Sequence, residues 1–208
     1  MNKALLVDVG GTNMRYAIAS KDSDNISDIN KLPFDSNDFE MQLEQLINEN
    51  HIEILVLSAA GPKINNSISM TNRNFIFNAS DIKNKFGLKE CFLLNDWEAI
   101  AYSYDFVSDS IEFIKEGSQF NKNTLFFGPG TGLGAALSIN NKIVLPTEIG
   151  NTTNSSLSLQ KNYNVENSAH LTLEDFVSGS AISNIYKIKT NTQMSSCLLY
   201  TSPSPRDR

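Results

Sequence analysis

The sequence is poor in the side chains that bind zinc or form disulfide bonds. Its 208 residues include two histidines and two cysteines, Cys91 and Cys197, which lie far apart with no histidine or cysteine at metal-ligand spacing. The sequence therefore predicts neither a disulfide framework nor a zinc site. Such sparing use of cysteine is typical of proteins in a reducing compartment, so we expect this one to be cytoplasmic.

Excess positive charge and long apolar runs are also lacking. Lysine and arginine number 17 against 23 acidic residues, a net charge of -6, whereas nucleic-acid binding needs clustered lysine and arginine. The opening MNKALLVDVGG has too short an apolar run for a signal peptide, and no stretch approaches the ~18 apolar residues of a membrane span. We therefore expect partners that are neither nucleic acids nor membranes. A phosphorylated ligand stays compatible with this charge, because backbone N–H groups can hold one.

Strand-like and helix-like patterns alternate along the chain, which favours an α/β fold. Continuous apolar runs predict strands at 3–9, 14–20, 53–62 and 91–96, and helical spacing predicts helices at 38–51, 80–87, 97–104 and 181–189. Polar residues stand where the apolar strands end, and ligands of α/β proteins bind at the carboxyl ends of strands. The polar stretch 151–169 is expected to be a long loop.

Two segments carry a glycine–threonine pair in a strand–turn–strand pattern. In DVGGT (8–12), Asp8 ends an apolar run and bare glycines follow, which fits either a phosphate loop with a Mg²⁺ carboxylate or an ordinary hairpin turn. In GPGTGLG (128–134), four glycines would be wasteful in a mere connection. This second loop lacks the GK[ST] of a Walker loop, and strand-like sequence follows it, so we expect a glycine hairpin closing over phosphates.

Several carboxylates and amides could bind a ligand rich in hydroxyl groups. Asp96 follows an apolar strand in LLND (93–96) and is a candidate general base, although an Asn-Asp helix cap explains the same residues. From the residues alone, Glu174 reads as part of a solvated helix face. The remaining candidates are Thr71, Asn72, Asn95, Glu148 and Asn151.

Seven segments in this order resemble the bacterial ATP-dependent glucokinase family, whose fold is of the hexokinase and actin-type ATPase kind. The segments are DVGGTNMR (8–15), AAGP (59–62), MTNRNF (70–75), LLNDWEAIA (93–101), FGPGTGLGAAL (127–137), LPTEIGN (145–151) and EDFVSG (174–179). The resemblance spans roughly residues 3–189. It implies transfer of the γ-phosphate of ATP to the 6-hydroxyl of glucose, at the entry to glycolysis.

The resemblance also implies a two-lobed, ribonuclease H-like α/β fold with mixed sheets and an incomplete second lobe. Residues 1–105 would form the small lobe with the first phosphate loop and the sugar-binding residues, and residues 106–196 the start of the large lobe with the second phosphate loop. The adenosine-binding segment of the family is absent, so we expect a C-terminally truncated fragment with exposed apolar surface. The tail 197–208 (CLLYTSPSPRDR) is expected to be non-native.

Carried over by position, the resemblance assigns a role to each candidate residue. Asp96 becomes the catalytic base, and sugar binding falls to Thr71, Asn72, Asn95, Asp96, Glu148, Asn151 and Glu174. ATP binding falls to Asp8, Val9, Gly10, Gly11, Thr12 and Asn13 in the first loop and to Gly128, Gly130, Thr131, Gly132 and Gly134 in the second. Asp8 would also hold Mg²⁺ through water.

One position departs from the family pattern and leaves alternatives open. Asn151 stands where the family usually has histidine, which puts the preference for glucose over other hexoses in question. A kinase of another hexose and a non-catalytic sugar-sensing regulator on a kinase scaffold are the competing interpretations. A homodimer of the full-length protein is left open.

Overall fold

The described residues form an α/β fold built on three sheets. The computed structural model describes residues 3–20, 23–71, 73–118, 120–153, 157–164 and 172–201. The strands are β1 (Lys3–Val9), β2 (Asn13–Ser20), β3 (Ser23–Ile26), β4 (Asn30–Pro33), β5 (Ile54–Ala59), β6 (Lys63–Ile64), β7 (Ser67–Ser69), β8 (Ile76–Asn78), β9 (Glu90–Asn95), β10 (Thr124–Pro129), β11 (Leu133–Ile139) and β12 (Ile143–Thr147). The helices are α1 (Phe39–Asn50), α2 (Ala79–Phe86), α3 (Asp96–Val107), α4 (Leu157–Tyr163), α5 (Glu174–Val177), α6 (Gly179–Thr190) and α7 (Ser196–Thr201).

The first sheet is mixed and brings the ends of three parallel strands together. Its order is β3-β2-β1-β5-β9, and β4 also pairs with β2. β1 and β2 form an antiparallel hairpin, whereas β1, β5 and β9 run parallel, with Asp8 opposite Ser58 and Ala59 opposite Asn95. The carboxyl ends of these strands therefore meet at one edge, as expected for a ligand-binding α/β sheet.

The core of this part of the chain follows from the apolar runs that predict the strands. In β1, the side chains of Leu5, Val7 and Val9 are buried on alternate positions. They join Phe39 and Leu43 of α1 in one apolar cluster. Burying each such side chain stabilises the fold by about 1.5–3 kcal/mol, so this packing fixes the sheet edge that carries Asp8.

The second sheet is antiparallel and has the order β10-β11-β12. α3 contacts β5 and β9 of the first sheet and all three strands of the second, and so joins the two. On the α3 side, the rings of Tyr104 and Phe126 meet edge to face with centroids 5.2 Å apart. On the other side, Leu125 and Phe127 are 50% and 63% exposed, in keeping with the exposed apolar surface expected of an incomplete lobe.

The structure departs from the expected elements mainly where local signals are weak. The short strands β6, β7 and β8, of two or three residues each, have no periodicity long enough to predict them. The expected loop 151–169 contains α4, while residues 154–156 and 165–169 lie outside the described residues.

The expected tail begins within a helix. α7 covers residues 196–201 and contacts α6, and residues 202–208 lie outside the described residues. The non-native origin of the tail stays a prediction. None of the described helices has the length and apolar character needed to cross a bilayer.

Candidate active site

A cavity of about 640 Å³ lies where the first sheet, α3 and the second glycine hairpin meet. Six of the seven predicted sugar-binding residues line it, namely Thr71, Asn95, Asp96, Glu148, Asn151 and Glu174. Asn72 lies outside the described residues. The second loop lines the same cavity from Gly128 to Gly134. Residues from segments far apart in the chain thus line one cavity.

Asn95 ends β9 and caps α3. Its Oδ1 accepts hydrogen bonds from the backbone N–H groups of Trp97 (2.9 Å) and Glu98 (3.4 Å), and the carboxylate of Glu98 accepts the Asn95 N–H at 3.1 Å. This reciprocal arrangement is a capping box. The Asn95 Nδ2 also donates to the Gly61 carbonyl at 3.0 Å. The helix-cap interpretation therefore holds for Asn95, and Asp96 is left for another role.

Asp96 is the first residue of α3 and is partly buried in the cavity wall. Burial raises the pKa of its carboxyl group, and the negative charge of Asp8 raises it further, while the backbone N–H of Trp97 opposes the rise by donating to Oδ1 at 3.0 Å. A carboxylate whose pKa lies closer to neutrality is a better proton acceptor at working pH. The position and electrostatics of Asp96 thus suit a general base.

Glu148 precedes the short 3₁₀ turn after β12, and Asn151 is the last residue of that turn. The Asn151 Nδ2 donates to Glu148 Oε2 at 3.2 Å, and the Asn151 N–H donates to the Glu148 carbonyl at 3.0 Å. The pKa of Glu148 is raised by loss of hydration, then by the charges of Asp96 and Glu174, and is lowered by the Asn151 hydrogen bond. The charges of two neighbouring carboxylates therefore act on Glu148 in this cavity.

Glu174 lies beneath the second glycine hairpin and is not on a solvated helix face, so the interpretation drawn from local sequence is wrong. Its Oε2 accepts the Leu133 N–H at 3.1 Å. A Cβ at Gly132 would lie 2.7 Å from this oxygen, and one at Gly150 would lie 3.2 Å from it. A side chain at Gly132 would displace the Glu174 carboxylate, and at Gly150 a Cβ would also lie 2.7 Å from the Leu133 carbonyl oxygen.

The second glycine hairpin is held at its base by Trp97. Gly128 and Gly134 stand opposite each other in the β10–β11 ladder, and a side chain on either would overlap the Trp97 indole. Their lack of a side chain therefore has a packing cause, and their contact with phosphate stays a prediction. Trp97 also lines the cavity.

The tip of this hairpin rests on the start of α6. The Gly179 N–H donates to the Gly130 carbonyl and the Ser180 hydroxyl to the Thr131 carbonyl, both at 2.8 Å. Ser178 caps α6 by accepting the Ala181 N–H at 3.1 Å. The positive end of the α6 dipole thus lies beside the tip, where it favours a negatively charged ligand.

The first glycine loop turns β1 into β2, as its hairpin interpretation predicts. The Gly10 N–H donates to the Asn13 carbonyl at 2.9 Å, and the Asn13 Nδ2 donates to Thr12 Oγ1 at 2.8 Å. Among the described residues that line the cavity, none comes from this loop. Val9 is buried in the core, so only its backbone is available to a ligand. Phosphate binding by the first loop stays a prediction.

The carboxylate of Asp8, at the start of the first loop, acts electrostatically on Asp96 in the cavity. Arg15, opposite it in the β1–β2 ladder, donates from Nη1 to Asp8 Oδ2 at 3.1 Å, and both side chains are about half exposed. The negative charge of Asp8 also acts on Asp96. Among the described residues, no three carboxylate, histidine or cysteine side chains converge as a metal cage.

Three residues near the site were not predicted from the sequence. Arg73 donates from Nε to the Gly11 carbonyl at 2.7 Å and lies over the Phe34 ring at 5.4 Å from its centroid. Lys63 pairs with the buried Glu98. The Asn-x-x-Glu spacing of a capping box could have identified Glu98, whereas no local signal marks Lys63 or Arg73.

Comparisons with known proteins point in one direction. The family model described as Glucokinase matches residues 5–204. A glucokinase of Yersinia enterocolitica is 28% identical over 198 residues, which is 88% of this chain and 61% of that protein. The chain therefore spans about 61% of the length of such a curated relative.

Solved structures agree with this result. The crystal structure of a glucokinase from an Antarctic psychrotroph superposes with a TM-score of 0.72 at 27% identity, over 97% of this chain and 71% of that one. A Balamuthia mandrillaris glucokinase in complex with glucose gives a TM-score of 0.68 at 21% identity, over 96% of this chain and 68% of that one. The predicted two-lobed fold of hexokinase type, with a partial second lobe, is confirmed.

Proposed function

The chain belongs to the glucokinase family, and on this premise we propose that the full-length protein transfers the γ-phosphate of ATP to the 6-hydroxyl of glucose. One observation carries the proposal: the Asp96 carboxylate shares a cavity with Glu148, Glu174 and Asn151. Carboxylates accept hydrogen bonds from sugar hydroxyls, and amides both donate and accept. The cavity therefore has the chemistry to hold a hexose beside a base.

In the proposed reaction, Asp96 accepts the proton of the 6-hydroxyl as its oxygen attacks the γ-phosphorus of ATP. The bond from that phosphorus to the oxygen bridging the β-phosphate breaks, and ADP leaves. The raised pKa of Asp96 supports this role, because a weakly basic carboxylate would accept the proton less readily. Its place at the first turn of α3 fixes the carboxylate relative to the sugar.

Sugar binding is proposed to use the groups that remain available in the cavity wall. The Asn95 Oδ1 accepts the hydrogen bonds of the α3 cap, and one Nδ2 hydrogen is donated to the Gly61 carbonyl. One N–H of the amide therefore remains for a sugar hydroxyl. Glu148 and Glu174 offer carboxylate oxygens, and Thr71, in the connection between β7 and β8, offers a hydroxyl group. Asn72 is proposed to take part as well. Closure around the sugar would keep water from replacing the 6-hydroxyl as nucleophile.

ATP is proposed to lie between the two glycine hairpins. The carboxylates of the cavity repel its phosphates, so donors and cations must offset that repulsion. Gly130 and Thr131 are exposed beside the positive end of α6. The Gly130 N–H already donates to the Gly132 carbonyl at 2.9 Å, so the Thr131 N–H and hydroxyl are proposed to donate to phosphate oxygens while Gly130 leaves room for their close approach. Gly11, Thr12 and Asn13 are proposed to donate to phosphate oxygens from the other side, with Gly10, whose N–H is bonded to the Asn13 carbonyl, leaving room for their approach.

Asp8 is the proposed protein ligand for Mg²⁺, through water. Arg15 engages one of its carboxylate oxygens, and the other has no protein partner among the described residues. Because Mg²⁺ keeps several waters and takes few protein ligands, one carboxylate beside the phosphates fits it without a three-ligand cage. The ion would neutralise phosphate charge.

The predicted domain organisation is also proposed for the full-length protein. Residues 1–105 form the small lobe and residues 106–196 begin the large lobe, which places the boundary in the last turn of α3. The tail 197–208 is proposed to lie outside the native sequence. The proposed location is the cytoplasm, with glucose and ATP as the ligands.

Asn151 is the observation that favours the second candidate, a kinase of another hexose. Its amide donates to Glu148, and an amide differs in reach and charge from the histidine that the family usually carries there. The hydroxyl that this pair recognises could therefore differ. A regulator without catalysis is disfavoured by the poised carboxylate of Asp96.

The test is a coupled assay for ADP release, run on the protein expressed from its complete gene with ATP, Mg²⁺ and a panel of hexoses. Turnover with glucose above all other sugars supports the glucokinase proposal. Greater turnover with another hexose supports the second candidate. Hexose binding without any turnover, measured by calorimetry, would contradict both and support the regulator.

A further inference from the structure

The AAGP segment (59–62) has no part in the proposed chemistry, yet it holds both walls of the cavity. The Ala60 carbonyl accepts the Thr71 N–H at 3.4 Å, and the Gly61 carbonyl accepts the Asn95 side chain at 3.0 Å. Gly61 has φ +148°, and a Cβ there would overlap the Ser69 carbonyl. The segment can take this shape only with glycine at that position.

Directly after this segment, Lys63 forms a buried ion pair with Glu98. The Lys63 Nζ lies 3.0 Å from both carboxylate oxygens. The Glu98 side chain is 6% exposed and that of Lys63 is 24% exposed. A charge so deeply buried needs both a partner and hydrogen bonds, and Glu98 obtains its second partner by accepting the Asn95 N–H.

These contacts surround Asp96 along the chain. Asn95 precedes it and is bonded to Glu98 and Gly61, while Trp97 follows it and donates to Asn95. The backbone of Asp96 is thus held between two fixed residues, and the ion pair anchors the whole turn to β6. No atom of Lys63 or Glu98 lines the cavity among the described residues, so neither contacts a substrate there.

We propose that Glu98, held by Lys63, is a positioning residue that fixes Asp96 for proton transfer. This inference rests on the proposed kinase function. The pair acts through the α3 capping box: the Glu98 carboxylate orders the Asn95 N–H, the ordered Asn95 caps α3, and the cap sets where Asp96 projects. Small displacements of a reacting group can cost ~10²-fold in rate.

The test compares Glu98→Met and Glu98→Gln in the full-length protein. Glutamine keeps an oxygen that accepts the Asn95 N–H, whereas methionine does not. We expect kcat per folded molecule to fall ~10²-fold in Glu98→Met and clearly less in Glu98→Gln, with KM for glucose within about threefold of the parent value. Equal kcat in all three proteins would overturn the proposal, because a purely stabilising pair changes the folded fraction alone.

The matched control is the exposed pair of Glu90 and Lys83, 3.2 Å apart with side chains 55% and 39% exposed. Glu90 begins the strand that Asn95 ends, and an exposed pair contributes little. Glu90→Met should leave kcat within about twofold of the parent value. A fall equal to that of Glu98→Met would refute the specific role of Glu98.

A readout independent of turnover separates this inference from the proposed function. Amide hydrogen exchange should quicken at Trp97 and Glu98 in Glu98→Met but not in Glu90→Met, since the cap protects those groups. Unchanged exchange there would refute the positioning contact even in an inactive protein. Absence of turnover in the parent protein would instead refute the kinase function.

Discussion

The glycines of the second hairpin divide into two kinds, and single alanine substitutions separate them. A Cβ at Gly134 would overlap atoms of the Trp97 indole and lie 2.7 Å from its Cε2, and a Cβ at Gly128 would lie 2.6 Å from Cζ2. A Cβ at Gly130 meets nothing within 4 Å. Packing thus forbids a side chain at Gly128 and Gly134 and permits one at Gly130.

The expected loss of stability follows from the overlap of the added methyl group with the Trp97 indole. Forcing an extra methyl group into a packed site costs about 1–3 kcal/mol, so Gly134→Ala and Gly128→Ala should each lower the free energy of unfolding by about that amount. Gly130→Ala should change it by no more than about 0.5 kcal/mol. If the phosphates approach Gly130 as proposed, the added methyl group should instead raise KM for ATP.

The assay is urea unfolding of the full-length protein followed by circular dichroism, with KM for ATP measured on the same preparations. Equal stability of Gly134→Ala and Gly130→Ala would refute the packing argument, since the two substitutions add the same atoms. An unchanged KM for ATP in Gly130→Ala would weaken the assignment of phosphate to the hairpin tip.

Three further predictions concern the cavity and the first loop. Asp96→Asn should lower kcat by ~10²–10⁴-fold. Because the Asp96 pKa is raised in the folded state, the folded protein binds more protons than the unfolded chain, and its stability falls as pH rises from the ordinary to the raised pKa. Asp96→Asn should therefore be more stable to urea than its parent at pH 7. Below the ordinary pKa of aspartate it should show no such gain. Asn151→Ala should raise the pKa of Glu148 further, because it removes the hydrogen bond that lowers it; a carbon NMR titration that shows no change in this pKa would refute the contact. Arg73→Met removes the donor to the Gly11 carbonyl and should raise KM for ATP ~10-fold, about 1.4 kcal/mol, with KM for glucose as the internal control.

Much of the first sheet could be predicted because its signals are local and continuous. The apolar run of β1 ends at Val9 with bare glycines after it, and the structure ends the strand at the same residue. Gly87 was expected to end the second helix and does so with φ 63°. Asp38 shows the limit of such signals: it precedes α1, yet its side chain makes no capping hydrogen bond.

The cavity wall depends on contacts that no local pattern contains. Glu174 meets the Leu133 N–H across 41 positions of sequence, so its surroundings predict only a polar helix face. The contact between Lys63 and Glu98 spans 35 positions, and that of Arg73 with Gly11 spans 62. Likeness to a family, rather than periodicity, pointed to Glu174, and it did so without naming the partner.

The parallel ladder of β1, β5 and β9 has a consequence for how this protein can change in evolution. Asp8 stands opposite Ser58 and Ala59 opposite Asn95 through backbone hydrogen bonds alone. Insertions in the connections that carry α1 and α2 leave that alignment intact, since lengthening a surface loop costs little. Deleting one residue inside β1 would instead turn Asp8 to the opposite face of the sheet. Length variation among related sequences should therefore concentrate in the crossovers and be absent from the strands.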